Sequence, residues 1–362
     1  MSDLKDIRII VAGAKTGGHL YPAVAVGEAL AAVGADVTLV TSGEAIEGLV
    51  LAESVLKRET LHVGMIKGMG GWRKVKGLAT IPAGLIRAWR LLTKLRPQVA
   101  LGFGGYTTGP LLLVAAMRGI PIAICEENSV PGFTNRVLSR FADRIFVAFE
   151  ATAQCFDHRK VVLTGNPVRP EILALPAKTS CGDHRRILVF GGSQGSRFLN
   201  ERIPAVLAEL GRQVPGIEVI HQTGRGNGPA VTAAYAALGL AADVKEYLSP
   251  MADAYGWADF VIARSGAGTV SEIAAVGIPA LFVPFAAAAD NHQVANARPL
   301  VEGGAALMVE ERDFAASDVV QRLAMTLGNA QALEAMASVS RSIGRRDAVA
   351  HMVASVEECV KR

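Results

Sequence analysis

The chain has 362 residues, of which 51% are hydrophobic, 19% charged and 6% aromatic, with a formal net charge of +4. This length suits two domains of ordinary size, and the abundance of Leu, Val, Ile and Ala excludes wholesale disorder. Four widely spaced cysteines without a C-x-x-C pair argue against a zinc ribbon, a redox dithiol and a disulfide framework, and so small a net charge does not imply a nucleic-acid partner.

From the N-terminus, IRIIVAG reads as a buried strand that passes into a glycine loop, with no signal peptide expected before it. YPAVAVGEALAAVG reads as the helix after that loop, and ADVTLVTSG as the next strand. The uncharged stretch from Pro97 to Met117 is interrupted by Gly102, Gly104, Gly105, Gly109 and Pro110, so it reads as strand, loop and helix start and not as a membrane span. IPIAICEEN, RIFVAF and VVLTGNPV continue the alternation. After Pro170 the pattern breaks at EILALPAKTSCGDHRR, which reads as a connector. A second series follows: RRILVFGGSQGSRFLNERIPAVLAEL, IEVIHQTG, ADVKEYL, ADFVIARSG, SEIAAVGIPALFVPF and AALMV. The last segment carries Val349, Met352, Val353, Val356 and Val360 on one helical face and is expected to return to the first domain. The expected fold is therefore α/β, with two Rossmann-like domains facing a cleft. Residues 1–165 with 343–362 form one domain and residues 166–342 the other.

Three glycine loops share one form: Gly13 to His19, Gly102 to Tyr106, and Gly191 to Ser196. Each follows a strand and opens a helix, where unpaired N–H groups and the dipole favour an anion. The other reading of such a loop is a tight strand-to-helix turn. None matches G-x-G-x-x-G, and Asp36 begins the second strand where a dinucleotide site needs an acid at its end, which argues against hydride chemistry. The phosphate-loop pattern ending in Gly-Lys-Ser/Thr is absent too. No D-x-D pair occurs, so a bound diphosphate would be neutralised by helix N-termini and basic side chains, not by a divalent metal.

The ordered segments TGGHLYPA, GFGGYTTGP, ENSVPGFTNR, GNPVR, GGSQGSRFLN, HQTG, RSGAGTVSEIAAVGIPALFVPF and DNHQ resemble the MurG family. These are the bacterial UDP-N-acetylglucosamine:undecaprenyl-pyrophosphoryl-N-acetylmuramoyl-pentapeptide N-acetylglucosaminyltransferases of peptidoglycan synthesis. The resemblance implies a glycosyltransferase fold of the B type, with the donor UDP-N-acetylglucosamine on the second domain and the lipid-linked acceptor on the first. It implies inversion at the sugar carbon with no metal and no further cofactor. It places Glu272 on the ribose hydroxyls, with a dipole-complementing acid as the alternative, and Ala267, Gly268 and Thr269 against the diphosphate and sugar. Ser193, with Gln194 beside it, looks like a diphosphate ligand, a helix N-cap, or both. Arg169 looks like a charge partner of the diphosphate, with an interdomain salt bridge as the alternative. Gln293 would bond the sugar hydroxyls and the backbone at Leu248 would read the uracil. On the acceptor side, Thr16, Gly17, Gly18 and His19 would face the reacting centre, with Tyr106, Glu126, Asn128 and Asn135 around it. His19 is the candidate base and Glu126 the second catalytic candidate; His19 reads equally as a neutral donor or a packed cap.

The sequence departs from the family pattern at Lys15, normally Gly, and at Cys125 and Glu127, where CEEN replaces the commoner His-Glu-Gln-Asn. FAAAADNHQ is also small and apolar before Asp290. Two other readings stay open: an isomerase of the nucleotide-sugar 2-epimerase type, and a non-catalytic nucleotide-sugar-binding module at a membrane. Between Glu59 and Glu126 every charged residue is basic, including Lys67, Arg73, Lys74, Lys76, Arg87, Arg90, Lys94, Arg96 and Arg118. Ile81, Leu85, Ile86, Trp89, Leu92 and Leu95 recur at helical spacing among them, near Met65, Met69 and Trp72. The expectation is reversible attachment to anionic lipid of the cytoplasmic leaflet of the inner membrane; a solvated basic face over a core helix is the alternative.

Overall fold

The computed structural model describes residues 4–13, 17–44, 51, 54–63, 71–105, 107–176 and 185–361, with residues 71–81 described as backbone. The chain divides into two units, Met1–Arg169 with Asp347–Arg362, and Pro170–Arg346.

Among the described residues the first unit holds seven parallel strands: β1 Arg8–Ala12, β2 Asp36–Thr41, β3 Lys57–Thr60, β4 Val99–Gly102, β5 Ile122–Glu126, β6 Arg144–Val147 and β7 Val161–Leu163. Their order across the sheet is β3-β2-β1-β4-β5-β6-β7. Successive residues of a strand point to opposite faces. Thus Ile9 and Val11 of β1 pack with Leu20 and Leu30 of helix Gly17–Ala32 on one side. Ile10 and Ala12 pack with Leu92, Leu112 and Ile124 on the other. Because helices cover both faces, the inner strands are unbroken apolar runs, and the sequence shows them strongly. The C-terminal helix Ala348–Val360 completes the first face, burying Met352 and Val356 one turn apart.

β3 carries no such signal. Its sequence is Lys-Arg-Glu-Thr at the sheet edge, where charge discourages pairing with another chain. Lys57 pairs with Asp36 and Lys94 with Glu59, both at 2.6 Å.

Helix Gly71–Leu95 corrects the single stripe read from its spacing. Ala88, Leu91 and Leu92 are buried in the core, whereas Ile86 and Trp89 are about half exposed beside Arg87 and Arg90. The side chains of Met65, Lys67, Met69, Trp72, Arg73, Lys74, Lys76 and Ile81 lie outside what the structure describes. Among the described residues no helix is long and apolar enough to cross a membrane.

The second unit repeats the plan with β8 Arg185–Phe190, β9 Ile217–Gln222, β10 Asp243–Lys245, β11 Phe260–Ala263, β12 Ala280–Phe282 and β13 Ala306–Met308. The order is β10-β9-β8-β11-β12-β13, again parallel throughout. Ile187 and Val189 bury against Leu199, Ile203 and Val206 of helix Arg197–Gln213 and against Leu323 and Leu327 of helix Ala316–Leu327. In each sheet the first strand lies inside and chain order reverses across it, at β1/β4 and at β8/β11. Open α/β sheets bind ligands at the carboxyl ends of the strands flanking such a point.

His221 of β9 is fully buried and shares a hydrogen bond with the Tyr235 hydroxyl, Nδ1 to Oη 2.9 Å. Among the described residues its Nε2 has no hydrogen-bond partner, so a proton there would create an unpaired charge, and burial lowers its pKa from the ordinary 6.5 to about 4. The unfolded chain therefore takes up a proton that the folded chain refuses as pH falls from 6.5 toward 4. Stability is lost over that window, by up to about 3 kcal/mol. His221→Gln, neutral throughout, is expected to lose correspondingly less between pH 7 and 4.5 in urea unfolding; a loss as steep as in the wild type assigns the effect elsewhere.

Candidate active site

At the carboxyl end of β1 the chain turns into helix Gly17–Ala32, whose third residue is His19. A Cβ on Gly13 would lie 2.6 Å from Ala23 Cβ and 2.8 Å from the His19 carbonyl oxygen, so glycine here lets the helix start close to the strand. The loop after β4 lies against the same residue. Gly104 has φ +89°, and its Cβ would sit 3.0 Å from His19 Cε1 and 3.1 Å from Nδ1. These two loops, read as anion cradles or tight turns, thus use Gly13 and Gly104 to seat the first turn of the helix and its imidazole. Thr108 fixes the second loop by donating to the Gly104 carbonyl at 2.5 Å.

β5 ends in Glu126 and Glu127 follows it, two buried glutamates with different surroundings. Glu126 Oε1 accepts from Asn128 N (3.0 Å) and Nδ2 (3.4 Å), and Oε2 accepts from Gly132 N (2.9 Å) and Asn135 Nδ2 (2.9 Å). Asn135 Nδ2 also donates to the Cys125 carbonyl at 3.0 Å. Glu126 was expected among the catalytic residues. Its carboxylate pegs the loop from Asn128 to Asn135 through both oxygens.

Glu127, noted in the sequence only as a departure, lies 2.7 Å through Oε2 from His19 Nδ1. The glutamate side chain is 4% exposed and the imidazole 30%. Burial pulls the His19 pKa down, but the charge and hydrogen bond of Glu127, with the more distant charge of Glu126, carry it above 6.5. Burial raises Glu127 above 4.5 against the opposing pull of His19. The Cys125 thiol is pushed well up by burial and by both glutamates. Asn166, of the GNPVR segment, donates to the Glu127 carbonyl at 3.3 Å. No spacing rule links residue 19 to residue 127; strand order brings them together. The signal open to a sequence reader was an acid directly after an apolar strand.

Thr16 and Tyr106, like Lys15, lie outside the described residues; Gly17 and Gly18 begin the helix. Arg169 remains in the first unit, with its guanidinium 4.8 Å from the centroid of the Tyr21 ring.

In the second unit, helix Arg197–Gln213 follows β8, and Ser196 is its N-cap, accepting from Leu199 N at 3.3 Å. Ser193 is therefore not the cap; it and Gln194 are exposed on the loop. Gly195 and Gly224 have positive φ and pack against the backbones of Thr223 and Gln194 respectively. Beside this loop, helix Ala267–Val276 starts after β11 with Gly266 as an N-cap that offers no side chain. Its first-turn amides, among them Gly268 and Thr269, lack the side-chain cap that Ser196 gives the other helix. A Cβ on Gly192, Gly266 or Gly268 would meet nothing within 4 Å. Further along this helix Glu272 is half-buried and its Oε2 accepts from the buried Tyr255 hydroxyl at 3.0 Å. Sequence reasoning missed Tyr255, whose ring packs edge-on to Phe190. Gln293 Oε1 accepts from Phe285 N at 2.9 Å, and Leu248 lies half-buried between β10 and helix Met251–Trp257. Arg264, also missed, donates to the carbonyls of Val283 and Pro284 and pairs with Glu311 at 2.6 Å, anchoring the segment that Gln293 also holds.

The model of the glycosyltransferase family 28 N-terminal domain matches residues 9–147, and that of the family 28 C-terminal domain residues 186–352. The chain is 39% identical over 359 residues, 98% of its length and 94% of the relative's, to an Anaeromyxobacter sp. (strain Fw109-5) protein. That protein is named UDP-N-acetylglucosamine--N-acetylmuramyl-(pentapeptide) pyrophosphoryl-undecaprenol N-acetylglucosamine transferase. The crystal structure of Acinetobacter baumannii MurG superposes with a TM-score of 0.80 at 33% identity, covering 98% of this chain and 99% of that one. The chain belongs to the MurG family of glycosyltransferases. The UDP-GlcNAc 2-epimerase from Neisseria meningitidis also superposes, with a TM-score of 0.68 over 97% of this chain and 100% of that one, but at 15% identity, which is a likeness of fold. Two parallel-sheet α/β units are thus the B-type architecture expected of the MurG family.

The glycines of these loops divide into packed and open positions, and stability separates the two. Gly104→Ala is expected to lose about 1–2 kcal/mol because its φ is positive. Gly268→Ala, in open space within a helix, is expected to stay within about 1 kcal/mol of the wild type in denaturant unfolding. Equal losses would show that the distinction is wrong.

Proposed function

We infer that this enzyme transfers N-acetylglucosamine from UDP-N-acetylglucosamine to the lipid-linked N-acetylmuramoyl-pentapeptide, the step from lipid I to lipid II in peptidoglycan synthesis. The observation that carries this is 39% identity, over nearly the full length, to a transferase of that name, together with the superposition on MurG. Likeness to 2-epimerases gives no ground for isomerisation, because it is confined to the fold.

Our reading of the chemistry is a single displacement. The acceptor hydroxyl oxygen bonds to the anomeric carbon as the bond from that carbon to the diphosphate breaks, which inverts the centre, and UDP leaves with the electron pair. His19 takes the hydroxyl proton; its part-exposed ring in the first turn of the helix after β1 supports this role. Asn128 and Asn135, tied to Glu126, would shape the acceptor side with Thr16, Gly17, Gly18 and Tyr106. On the donor side, the uncapped amides at Ala267, Gly268 and Thr269, the open backbone at Gly192, and Ser193, Gln194 and Arg169 would meet the diphosphate. Glu272, held by Tyr255, suits a ribose, Gln293 the sugar hydroxyls, and the Leu248 backbone the uracil. With these donors in place we propose that no divalent cation is required. The test is transfer from radiolabelled donor to a synthetic lipid-linked muramoyl acceptor. The wild type is expected to turn over in EDTA, and His19→Ala to lose about 10²–10⁴-fold in kcat with UDP affinity nearly unchanged. Activity abolished by EDTA and restored by Mg²⁺ would overturn the metal reading, and an unchanged kcat the base.

We further propose that the first unit attaches to anionic lipid on the cytoplasmic face of the inner membrane. Ile86 (53% exposed), Trp89 (51%) and Met117 (71%) form the apolar part of the surface that supports this. Arg118 stacks 5.0 Å from the Trp89 ring, with Arg87 and Arg90 nearby in sequence. Wild type is expected to float with anionic vesicles in low salt, and Ile86→Glu with Trp89→Glu together to release it without unfolding. Equal flotation of that variant, or none by the wild type, would sink this reading.

A further inference from the structure

Glu127 is a buried carboxylate with few partners. It caps no helix and joins no strand, and its Oε1 has no hydrogen-bond partner among the described residues. Leaving a carboxylate oxygen buried and unbonded is costly. Its side-chain hydrogen bond goes to His19 Nδ1, and Asn166 holds its backbone carbonyl. Gly104 leaves room for the ring, since a Cβ there would lie 3.0 Å from Cε1, 3.1 Å from Nδ1 and 3.4 Å from Nε2.

We propose that Glu127 is a positioning residue that holds His19 as the Nδ1–H tautomer, leaving Nε2 as the one atom able to accept the acceptor hydroxyl proton. This rests on the transferase reading above. An ionised carboxylate can only accept, so the short contact makes Nδ1 the donor and leaves Nε2 as the ring nitrogen that carries the lone pair. When Nε2 takes the proton as the glycosidic bond forms, the imidazolium lies against a negative charge already in place, and the proton passes to water after UDP departs. A neutral amide at position 127 would keep the hydrogen bond and lose that charge. Among the described residues, the charged groups that act on the imidazole are Glu127 and Glu126; both also act on Cys125, and the β4 loop contributes the uncharged Gly104.

The experiment combines NMR of histidine-labelled protein, with His19 assigned by its loss in His19→Ala, and steady-state kinetics of Glu127→Gln and Glu127→Asp. In the wild type, neutral His19 is expected as the Nδ1–H tautomer, titrating above 6.5. Glu127→Gln is expected to move that titration down and the acid limb of kcat with it. It should also lower kcat roughly 10- to 10³-fold, with KM for the donor within about twofold. Glu127→Asp should recover part of the loss. A wild-type Nε2–H tautomer overturns the proposal whatever the variants do. So does a Glu127→Gln enzyme that keeps its limb, even if a lower kcat accompanies it, since a merely structural role changes rate without moving the limb. If the wild type transfers no sugar, the transferase reading fails, and the tautomer and titration still decide the role of Glu127.

Discussion

An all-parallel sheet obliges every strand to be followed by a crossover, and usually by a helix, so the functional groups of each unit gather at the carboxyl edge of its own sheet. His19 follows β1, Gly104 follows β4 and Glu127 follows β5, three neighbouring strands. Helix starts gather there too, with amides that need partners. The two helix starts of the second unit meet that need differently. Ser196 satisfies its own helix through Leu199 N, whereas Gly266 gives the helix Ala267–Val276 no side-chain oxygen. The first is a closed structural turn. The second leaves its first-turn amides without a side-chain partner, and Glu272 on the same helix is oriented by Tyr255.

Glycine serves two opposed purposes in these loops. At Gly13, Gly104, Gly195 and Gly224 a side chain would strike the protein itself, so these positions set how closely helix, ring and loop approach. At Gly192, Gly266 and Gly268 the space beyond the backbone is empty of protein atoms. The same letter thus marks a packing constraint on one strand end and an accessible backbone on the next. Spacing cannot distinguish them, because both require a turn directly after a strand.

What the sequence discloses follows from that geometry. Inner strands buried on both faces were legible as apolar runs, and the loops at their ends carried motifs specific enough to indicate the family before any contact was known. β3 was not legible, since an edge strand protected by Lys57, Arg58 and Glu59 lacks the pattern that marks a strand. The helix Gly71–Leu95 was read with one apolar face because period alone does not say which side meets the core; Leu92 went inward and Trp89 outward. Ser193 and Ser196, three residues apart in one loop, could each have been the cap until backbone geometry chose Ser196.

The adjacent glutamates show why charge type alone does not define a role. Glu126 accepts from four N–H donors that cannot change protonation near neutral pH, so its hold on the loop does not depend on a partner's proton. Glu127 has a titratable partner, so its electrostatic surroundings change whenever His19 gains or loses a proton. A carboxylate bound to amides resists change, while one bound to an imidazole responds to it. The sequence singled out the first because it sits inside a family motif and set aside the second as a departure from that motif. Burial, one short contact and an unbonded oxygen are what direct the proposal to Glu127, because a buried charge with few partners is costly to keep in a fold.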